Sequence, residues 1–222
     1  MHISDGLMAP LVWIAGMAIA LAFVAFAFHR VGRRMEDRTI PYMAILAAGI
    51  FLAQMLNFPI IGGTTGHLVG AALAVALLGP WGAIAVIFTI LVIQSLVFGD
   101  GGITALGLNT LNMAIIGSLA AWGVMKLAPR RYKMPGIAVA AWASVFLGAT
   151  ACAIELAVSH AIDPSYGIDG IIALPAMMGL HSVIGVGEAI ITTGVIAFLV
   201  KVAPETMNLG RDIEPKGERD AA

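Results

Sequence analysis

Residues 67–98 read HLVGAALAVALLGPWGAIAVIFTILVIQSLVF and contain no Asp, Glu, Lys or Arg. An uncharged apolar stretch of 18 residues or more is the pattern of a transmembrane helix. The later part of this stretch, Trp81 to Phe98, is long enough to cross about 30 Å of hydrocarbon at about 1.5 Å per residue. The earlier part, His67 to Leu78, is short and flanked by glycine. Whether that short segment counts as a crossing decides the fold.

Apolar segments recur along the whole chain. Its 222 residues are 60% hydrophobic and only 11% charged, whereas soluble domains average about 25% charged residues. We therefore expect an all-α integral membrane protein, with no role in nucleic-acid binding. The single Cys152 excludes a disulfide framework, and no GxxxxGK[ST] phosphate-binding motif is present. The seven predicted segments are Met8 to Phe28, Pro41 to Ile61, His67 to Leu78, Trp81 to Phe98, Gly107 to Leu127, Gly136 to Val158, and Met177 to Val200.

The positive charges indicate how the segments cross the bilayer. All twelve Lys and Arg residues fall into three groups, which follow the first, fifth and seventh segments. The groups are Arg30, Arg33, Arg34 and Arg38; Lys126, Arg130, Arg131 and Lys133; and Lys201, Arg211, Lys216 and Arg219. All three can be cytoplasmic only if the short third segment also crosses. The positive-inside rule then predicts a seven-transmembrane-helix bundle in the cell inner or plasma membrane, with the N-terminus outside and the C-terminus cytoplasmic. Residues 1–202 form one transmembrane metal-binding domain in this interpretation, and residues 203–222 form a polar cytoplasmic tail.

The chain begins MHISDG, and its first two residues offer three nitrogen donors. The Met1 α-amine and the His2 backbone nitrogen close a five-membered ring on a metal, and the His2 Nδ1 closes a six-membered ring with that backbone nitrogen. A fourth nitrogen from His67, on the same predicted outer side, completes a plane. Square-planar nitrogen coordination suits Ni²⁺ or Cu²⁺, with Co²⁺ possible, whereas Mg²⁺ and Ca²⁺ prefer oxygen. Such a site requires that any formyl group is removed and that Met1 is retained. The structural alternative is that His2 only begins the chain and His67 only caps a helix.

Several polar side chains are candidates to support this site. Asn109 and Asn112 lie three residues apart on one face of the fifth helix, and they either hold the N-terminal segment or join helices by a hydrogen bond. Asp5 either bonds the His2 ring or caps the first helix. Thr65, with the glycines beside it, lies in a tight turn that places His67.

Other polar groups lie deeper in the predicted bundle or in its outer loops. His181 and Glu188 are seven residues apart on one face of the last helix, so they form a structural pair or assist metal passage. Glu155 is expected to bond a neighbouring helix, His160 to lie in a solvated outer loop, and Asp100 to lie in an outer turn.

Four stretches carry a family resemblance: MHISDG, GTTGHLVGAALAVALLGPWGA, LVIQSLVFGDGGITALGLNTLNM and GLHSVIGVGEAIIT. Together they resemble the CbiM/NikM family, the substrate-binding membrane components (S components) of cobalt and nickel energy-coupling-factor (ECF) transporters. The resemblance runs from residue 1 to about residue 200. It implies a seven-helix bundle whose N-terminus enters an outer cavity, where Met1, His2 and His67 bind the metal.

The resemblance also implies partners and a cargo. The partners are a transmembrane coupling protein, cytoplasmic ABC-type ATPases and a small accessory membrane protein. The cargo is Co²⁺ or Ni²⁺, with no organic cofactor. MHISDG is closer to the MHIPDG of nickel-type members than to the MHIMEG of cobalt-type members, although Ser4 replaces the usual proline. Two alternatives are a secondary metal permease that acts alone and a membrane-embedded hydrolase that uses either His181 with Glu188, or His67.

Overall fold

The computed structural model describes residues 1–33, 39–60, 64–129, 133–204 and 206. Within these ranges it contains five helices that are long and apolar enough to cross a membrane, and one shorter apolar helix. The long ones span Pro10–Gly32, Ala71–Phe98, Leu106–Leu127, Lys133–Ile162 and Gly170–Val202, and the shorter one spans Thr39–Gln54. The expectation of a helical membrane protein is confirmed.

Two helices and a small hairpin form the first part of the chain. Helix α1 is Pro10–Gly32, and Pro10 starts it because a proline at the first position loses no helical hydrogen bond. Helix α2 is Thr39–Gln54, which ends seven residues before the predicted Ile61. Strands β1 (Phe58–Ile60) and β2 (Thr64–Gly66) follow and pair antiparallel. This hairpin was not expected, and it leaves His67 directly after β2.

Helix α3 is Ala71–Ile93 and continues as a π-helical turn over Gln94–Phe98. It is broken at Gly79, whose φ of 71° and ψ of 176° are not helical. Pro80 then begins a second helical leg in the position that proline favours. The first leg, residues 71–78, is only about 12 Å long, so the expected third segment is not a full-length span.

The break at Gly79 reverses the chain. Gln54 Nε2 donates to the Val69 carbonyl over 2.7 Å, and Gln94 Nε2 donates to Gln54 Oε1 over 2.9 Å. The Gln54 side chain therefore bridges residues 69 and 94, whereas a straight helix would separate residues 71 and 94 by about 35 Å. The two legs of α3 therefore leave one end of the bundle and return to it, while the count of seven crossings stays a prediction.

The remaining helices complete the bundle. Leu106–Leu127 consists of α4 (Leu106–Asn109), a π-helical section (Thr110–Ile116) and α5 (Gly117–Leu127). Helices α6 (Lys133–Ile162) and α7 (Gly170–Val202) pack closely along their length. Helix α7 begins seven residues before the predicted Met177, because Asp169 Oδ1 accepts a hydrogen bond from the Ile171 amide and caps the helix.

Burial separates the centre of the bundle from its lipid-facing surface. The legs of α3 are largely buried, whereas α1 and α7 expose rows of large apolar side chains, such as Leu11, Ile171 and Phe198. The described Lys and Arg residues all lie near the helix ends remote from residues 1–9: Arg30, Arg33, Lys126, Lys133 and Lys201. This distribution agrees with the expected orientation of the termini, which stays a prediction. The other basic residues and nearly all of the 203–222 tail lie outside the described residues.

Candidate metal centre

The N-terminal segment lies inside the bundle. Met1 and Ile3 are fully buried and His2 is 2% exposed. Asn109 holds the segment by accepting a hydrogen bond from the Ile3 amide (2.8 Å) and donating one to the Ile3 carbonyl (3.1 Å). The Gly102 amide donates to the same carbonyl over 2.8 Å. The segment is therefore held at Ile3 by the Gly102 amide and the Asn109 side chain.

The Met1 amine and the His2 amide both face Thr65 on β2. The amine donates to the Thr65 carbonyl, and the His2 amide donates to Thr65 Oγ1 over 3.2 Å. The two main-chain nitrogens required for the five-membered chelate ring therefore lie on one side of the chain. Thr65 is the residue that places them, two positions before His67.

The imidazoles of His2 and His67 lie against each other. Their ring centroids are 4.6 Å apart and their planes are inclined by 30°. His67 Nδ1 lies 2.7 Å from the Leu68 carbonyl, so it carries the proton and donates. His67 Nε2 then presents a lone pair, and it is buried without a hydrogen-bond partner. A buried polar atom that is unsatisfied in this way is a candidate for an ion ligand.

Burial disfavours the cationic forms of the Met1 amine and of both imidazoles. It lowers the pKa of the Met1 amine to about 5 and that of the His2 imidazole to about 3. It also holds the pKa of His67 well below its usual value, with smaller effects from the charges of the Met1 amine, His2 and His181. At neutral pH the lone pairs are therefore available to a cation without loss of a proton from the amine or the rings.

One carboxylate lies beside the His2 imidazole. Asp100 Oδ2 is 3.9 Å from His2 Nε2 and accepts a hydrogen bond from Asn57 Nδ2 over 3.0 Å. Burial raises the pKa of Asp100, although the Met1 amine and Asn57 act in the opposite direction. Among the described residues, no three His, Cys, Asp or Glu side chains come together as a metal site. A site here depends on main-chain nitrogens.

Residues 2–206 match the model of the CbiM family, described as a cobalt uptake substrate-specific transmembrane region. The chain belongs to the CbiM family. One relative is the fused nickel transport protein NikMN of Rhodobacter capsulatus, which is 35% identical over 93% of this chain and 64% of its own length. Another is the cobalt transport protein CbiM of Sorangium cellulosum, which is 30% identical over 94% of this chain and 95% of its own length. A putative fused nickel transport protein NikMN of Archaeoglobus fulgidus is 37% identical over 93% of this chain and 68% of its own. A crystal structure of a transition metal transporter superposes with a TM-score of 0.85, at 34% identity over 94% and 96% of the two chains.

Membership of the CbiM family settles the broad class of this chain. It is a multi-pass membrane protein of a metal-transport family and not an enzyme, so the hydrolase alternative is wrong. The chain spans 64% of the length of the R. capsulatus relative. The expected resemblance to this family is confirmed over nearly the whole chain.

Asp5 in this CbiM-family chain has neither expected role. Its carboxylate accepts hydrogen bonds from the Ile103 amide (3.0 Å), the Thr104 amide (2.7 Å) and the Thr104 hydroxyl (2.5 Å). These bonds, with the Thr104 hydroxyl foremost, lower the pKa of Asp5. Helix α1 has Ala9 at its N-cap without a side-chain bond, and Asp100 is the carboxylate beside His2. Asp5 instead ties the N-terminal segment to the loop before α4.

Asn112 and Glu155 form a contact between helices. Asn112 Nδ2 donates to Glu155 Oε2 over 2.7 Å, which joins the π-helical section to α6. Of the two asparagines, only Asn109 holds the N-terminal segment. For Asn112, the contact corresponds to the structural alternative, a hydrogen bond between packed helices. His160 lies in the last turn of α6 and not in a loop, with Nδ1 3.1 Å from the Tyr166 carbonyl.

His181 and Glu188 share a buried face of α7 but do not pair. His181 Nδ1 lies 2.8 Å from the Met177 carbonyl on its own helix, and its Nε2 is buried without a partner. Glu188 accepts hydrogen bonds from the amides of Val69 and Gly70. The expectation of a pair is wrong because the loop after His67 lies opposite Glu188 and satisfies it.

Sequence reasoning missed two groups that hold the N-terminal segment. Ser159 Oγ accepts a hydrogen bond from the Ala9 amide over 2.7 Å, and the Gly167 amide donates to the Leu7 carbonyl over 2.7 Å. Gly101 lies so close to His2 that an added Cβ would be 2.7 Å from Nδ1. The run GDGG at 99–102 is the one sequence signal for this close approach.

Proposed function

We propose that this chain is the substrate-capture component of an ATP-driven importer of the energy-coupling-factor type, and that its cargo is Ni²⁺ or Co²⁺. The observation that carries the proposal is the meeting of Met1, His2 and His67 in one buried place. Burial lowers the pKa of the Met1 amine and of both imidazoles, which disfavours their cationic forms, and His67 Nε2 has no hydrogen-bond partner. The names of the relatives, which are nickel and cobalt transport proteins, support the same class of cargo.

The donor set explains the choice of ion. Four nitrogens, from the Met1 amine, the His2 backbone, the His2 ring and His67, suit square-planar Ni²⁺ and accept Co²⁺. Mg²⁺ and Ca²⁺ are disfavoured because they require oxygen ligands. Cu²⁺ binds such nitrogens more tightly than Ni²⁺, so its exclusion depends on its availability. The lean to nickel rests on MHISDG and on relatives of 34 to 37% identity that are named as nickel transport proteins, against 28 to 32% for those named as cobalt transport proteins.

Each neighbouring residue has a defined task in capture. The His2 amide must lose its proton to act as a ligand, and Thr65 Oγ1 is the oxygen that holds this N–H before it is lost. His67 Nδ1 keeps its proton on the Leu68 carbonyl, which leaves Nε2 for the ion. Because Met1 and His2 are buried, an ion enters in this proposal when the loops around them move, and the hydrogen bonds between Asp5 and Thr104 join two of those segments.

Energy for transport comes from partner subunits in this proposal. The chain lacks the GxxxxGK[ST] motif of ATP-hydrolysing proteins. Cytoplasmic ABC-type ATPases, a transmembrane coupling protein and a small accessory membrane protein would supply hydrolysis and movement. The outward site would become open to the cytoplasm when the partners move the bundle. Loss of any one of the four nitrogens during that movement would release the ion.

The test uses purified, untagged protein equilibrated with Ni²⁺ and Co²⁺ in competition. We expect one ion per chain and, for Ni²⁺, the diamagnetic state and absorption spectrum of a square-planar nitrogen complex. Metal uptake by cells should require co-expression of the partner ATPases. A chain that binds neither ion would contradict the proposal, and uptake without the ATPases would favour a secondary permease that acts alone.

Asn109→Leu should weaken metal binding by about 10- to 100-fold. The substitution removes both side-chain hydrogen bonds to Ile3, and it leaves the buried Ile3 amide unsatisfied, at a cost of about 1–3 kcal/mol. The N-terminal segment then lies less firmly beside His67. Calorimetric titration with Ni²⁺ measures the change in affinity.

The matched control for Asn109→Leu is Thr110→Val. Thr110 is the next residue and is fully buried, and its hydroxyl has no hydrogen-bond partner. We expect wild-type affinity from this control. Equal affinities in both variants and the wild type would show that the Asn109 contact does not hold the site.

A further inference from the structure

The loop from His67 to Gly70 belongs neither to β2 nor to α3. Main-chain groups outside helices and sheets must find other partners when they are buried. Val69 is fully buried, and its amide and carbonyl are bonded by side chains that come from two distant helices. The position of this loop, and therefore of His67, is set by those side chains.

Glu188 on α7 bonds two successive amides of the loop. Its Oε2 accepts from the Val69 amide over 2.8 Å, and its Oε1 accepts from the Gly70 amide over 2.6 Å. Glu188 is 3% exposed. A carboxylate in this place is favoured because the first leg of α3 starts at Ala71 and its N-terminal end carries partial positive charge.

A second set of hydrogen bonds holds the carbonyl side of Val69. Gln54 Nε2 donates to the Val69 carbonyl over 2.7 Å, and Gln94 Nε2 fixes Gln54 from the returning leg of α3. Gly70 adopts a φ of 75°, which only glycine takes without strain. Val69 is thus held from both sides, and a single residue, Leu68, separates it from His67.

We propose that Glu188 is a positioning residue for the metal site, because its carboxylate holds the His67–Gly70 loop where His67 Nε2 reaches the ion. This inference rests on the proposed role of His67 as a metal ligand. Consecutive Cα atoms are about 3.8 Å apart, so a shift of Val69 displaces His67 within two peptide units. Groups that orient a metal ligand without touching the ion commonly change affinity by about 10- to 100-fold.

Among the residues that line the cavity beside it, Glu188 is the one carboxylate. Glu188 lines a cavity of about 360 Å³ between α2, the first leg of α3 and α7, and the other lining side chains are mostly apolar, such as Ile50, Leu73 and Ile191. Without Glu188 the amides of Val69 and Gly70 face this apolar space. They then lack acceptors, which favours movement of the loop.

The experiment compares Ni²⁺ binding by the wild-type chain with binding by Glu188→Gln and Glu188→Ala. Glutamine keeps the shape of the side chain but turns an NH₂ donor toward one of the two N–H groups. We expect about 10- to 100-fold weaker affinity in both variants and faster Ni²⁺ dissociation. We also expect the Ni²⁺ absorption spectrum to shift toward that of His67→Ala, a change that a purely structural role of Glu188 would not produce.

Thr192→Val is the matched control. Thr192 lies one helical turn further along α7, is 2% exposed and lines the same cavity, and no described hydrogen bond joins its side chain to residues 67–70. The Thr192→Val variant should bind Ni²⁺ with the affinity of the wild-type chain. Wild-type affinity, dissociation rate and spectrum in both Glu188 variants would overturn the role of Glu188 alone. A wild-type chain that binds neither Ni²⁺ nor Co²⁺ would overturn the proposed function as well.

A measurement on the unaltered chain covers the case in which the Glu188 variants do not fold. Hydrogen–deuterium exchange of the peptide that contains Val69 and Gly70 should be slow with and without Ni²⁺, because Glu188 bonds both amides. Rapid exchange at these amides in both states would overturn the proposed clamp.

Discussion

His67→Ala is expected to weaken binding of Ni²⁺ and Co²⁺ by more than about 100-fold. Residues that only orient a ligand already contribute about 10- to 100-fold, so removal of a donor nitrogen should cost more. The three remaining nitrogens all come from Met1 and His2, and water would replace His67 in the plane. Titration calorimetry and metal analysis of the purified protein measure the loss.

His29→Ala is the control for general histidine binding. His29 is exposed on α1, far along the helix from the N-terminal segment. Its loss should leave the tight site unchanged. If His67→Ala kept one tightly bound ion per chain, with the wild-type spectrum, His67 would not be a ligand.

Extension of the chain by Met-Lys ahead of Met1 is expected to abolish tight binding. The extension converts the Met1 amine into an amide and moves the free amine away from the His2 nitrogens, which breaks the fused five- and six-membered rings. Met1 is also fully buried, so two more residues must displace its neighbours. Lysine at the second position should keep the new initiating methionine in place.

Two details make this extension decisive. A single added residue is unsuitable, because an amine, two amides and a histidine at the third position can form their own four-nitrogen plane. The control carries the same dipeptide after Ala222, at the opposite end of the chain, and should bind normally. Retention of one Ni²⁺ with an unchanged spectrum in the N-terminal extension would mean that the donors lie elsewhere.

The sequence allowed prediction of the apolar spans and of the three residues that meet at the centre. Both depend on local patterns, since hydropathy marks helices in lipid and the chemistry of nitrogen donors is visible in MHISDG. The point at which the chain reverses within an apolar stretch is harder to predict from the sequence. Hydropathy alone shows residues 67–98 as apolar, whereas the reversal at Gly79 depends on one backbone conformation.

The neighbours of the site were harder to predict than its donors. The spacing of His181 and Glu188 correctly placed both on a buried face, but it carried no information on the loop that lies opposite. Neither role expected of Asp5 was right, because its partners Ile103 and Thr104 are about 100 residues away in sequence. The β1–β2 hairpin was missed because its three-residue strands follow directly from an apolar helix.

The placement of residues 1–9 has a consequence for biosynthesis. Their partners are made much later, since Ala9 bonds Ser159 and Leu7 bonds Gly167. At about 5–20 residues per second, a ribosome needs on the order of 10 s to make the intervening stretch. The N-terminal segment can therefore complete its hydrogen bonds only after most of the chain has been made.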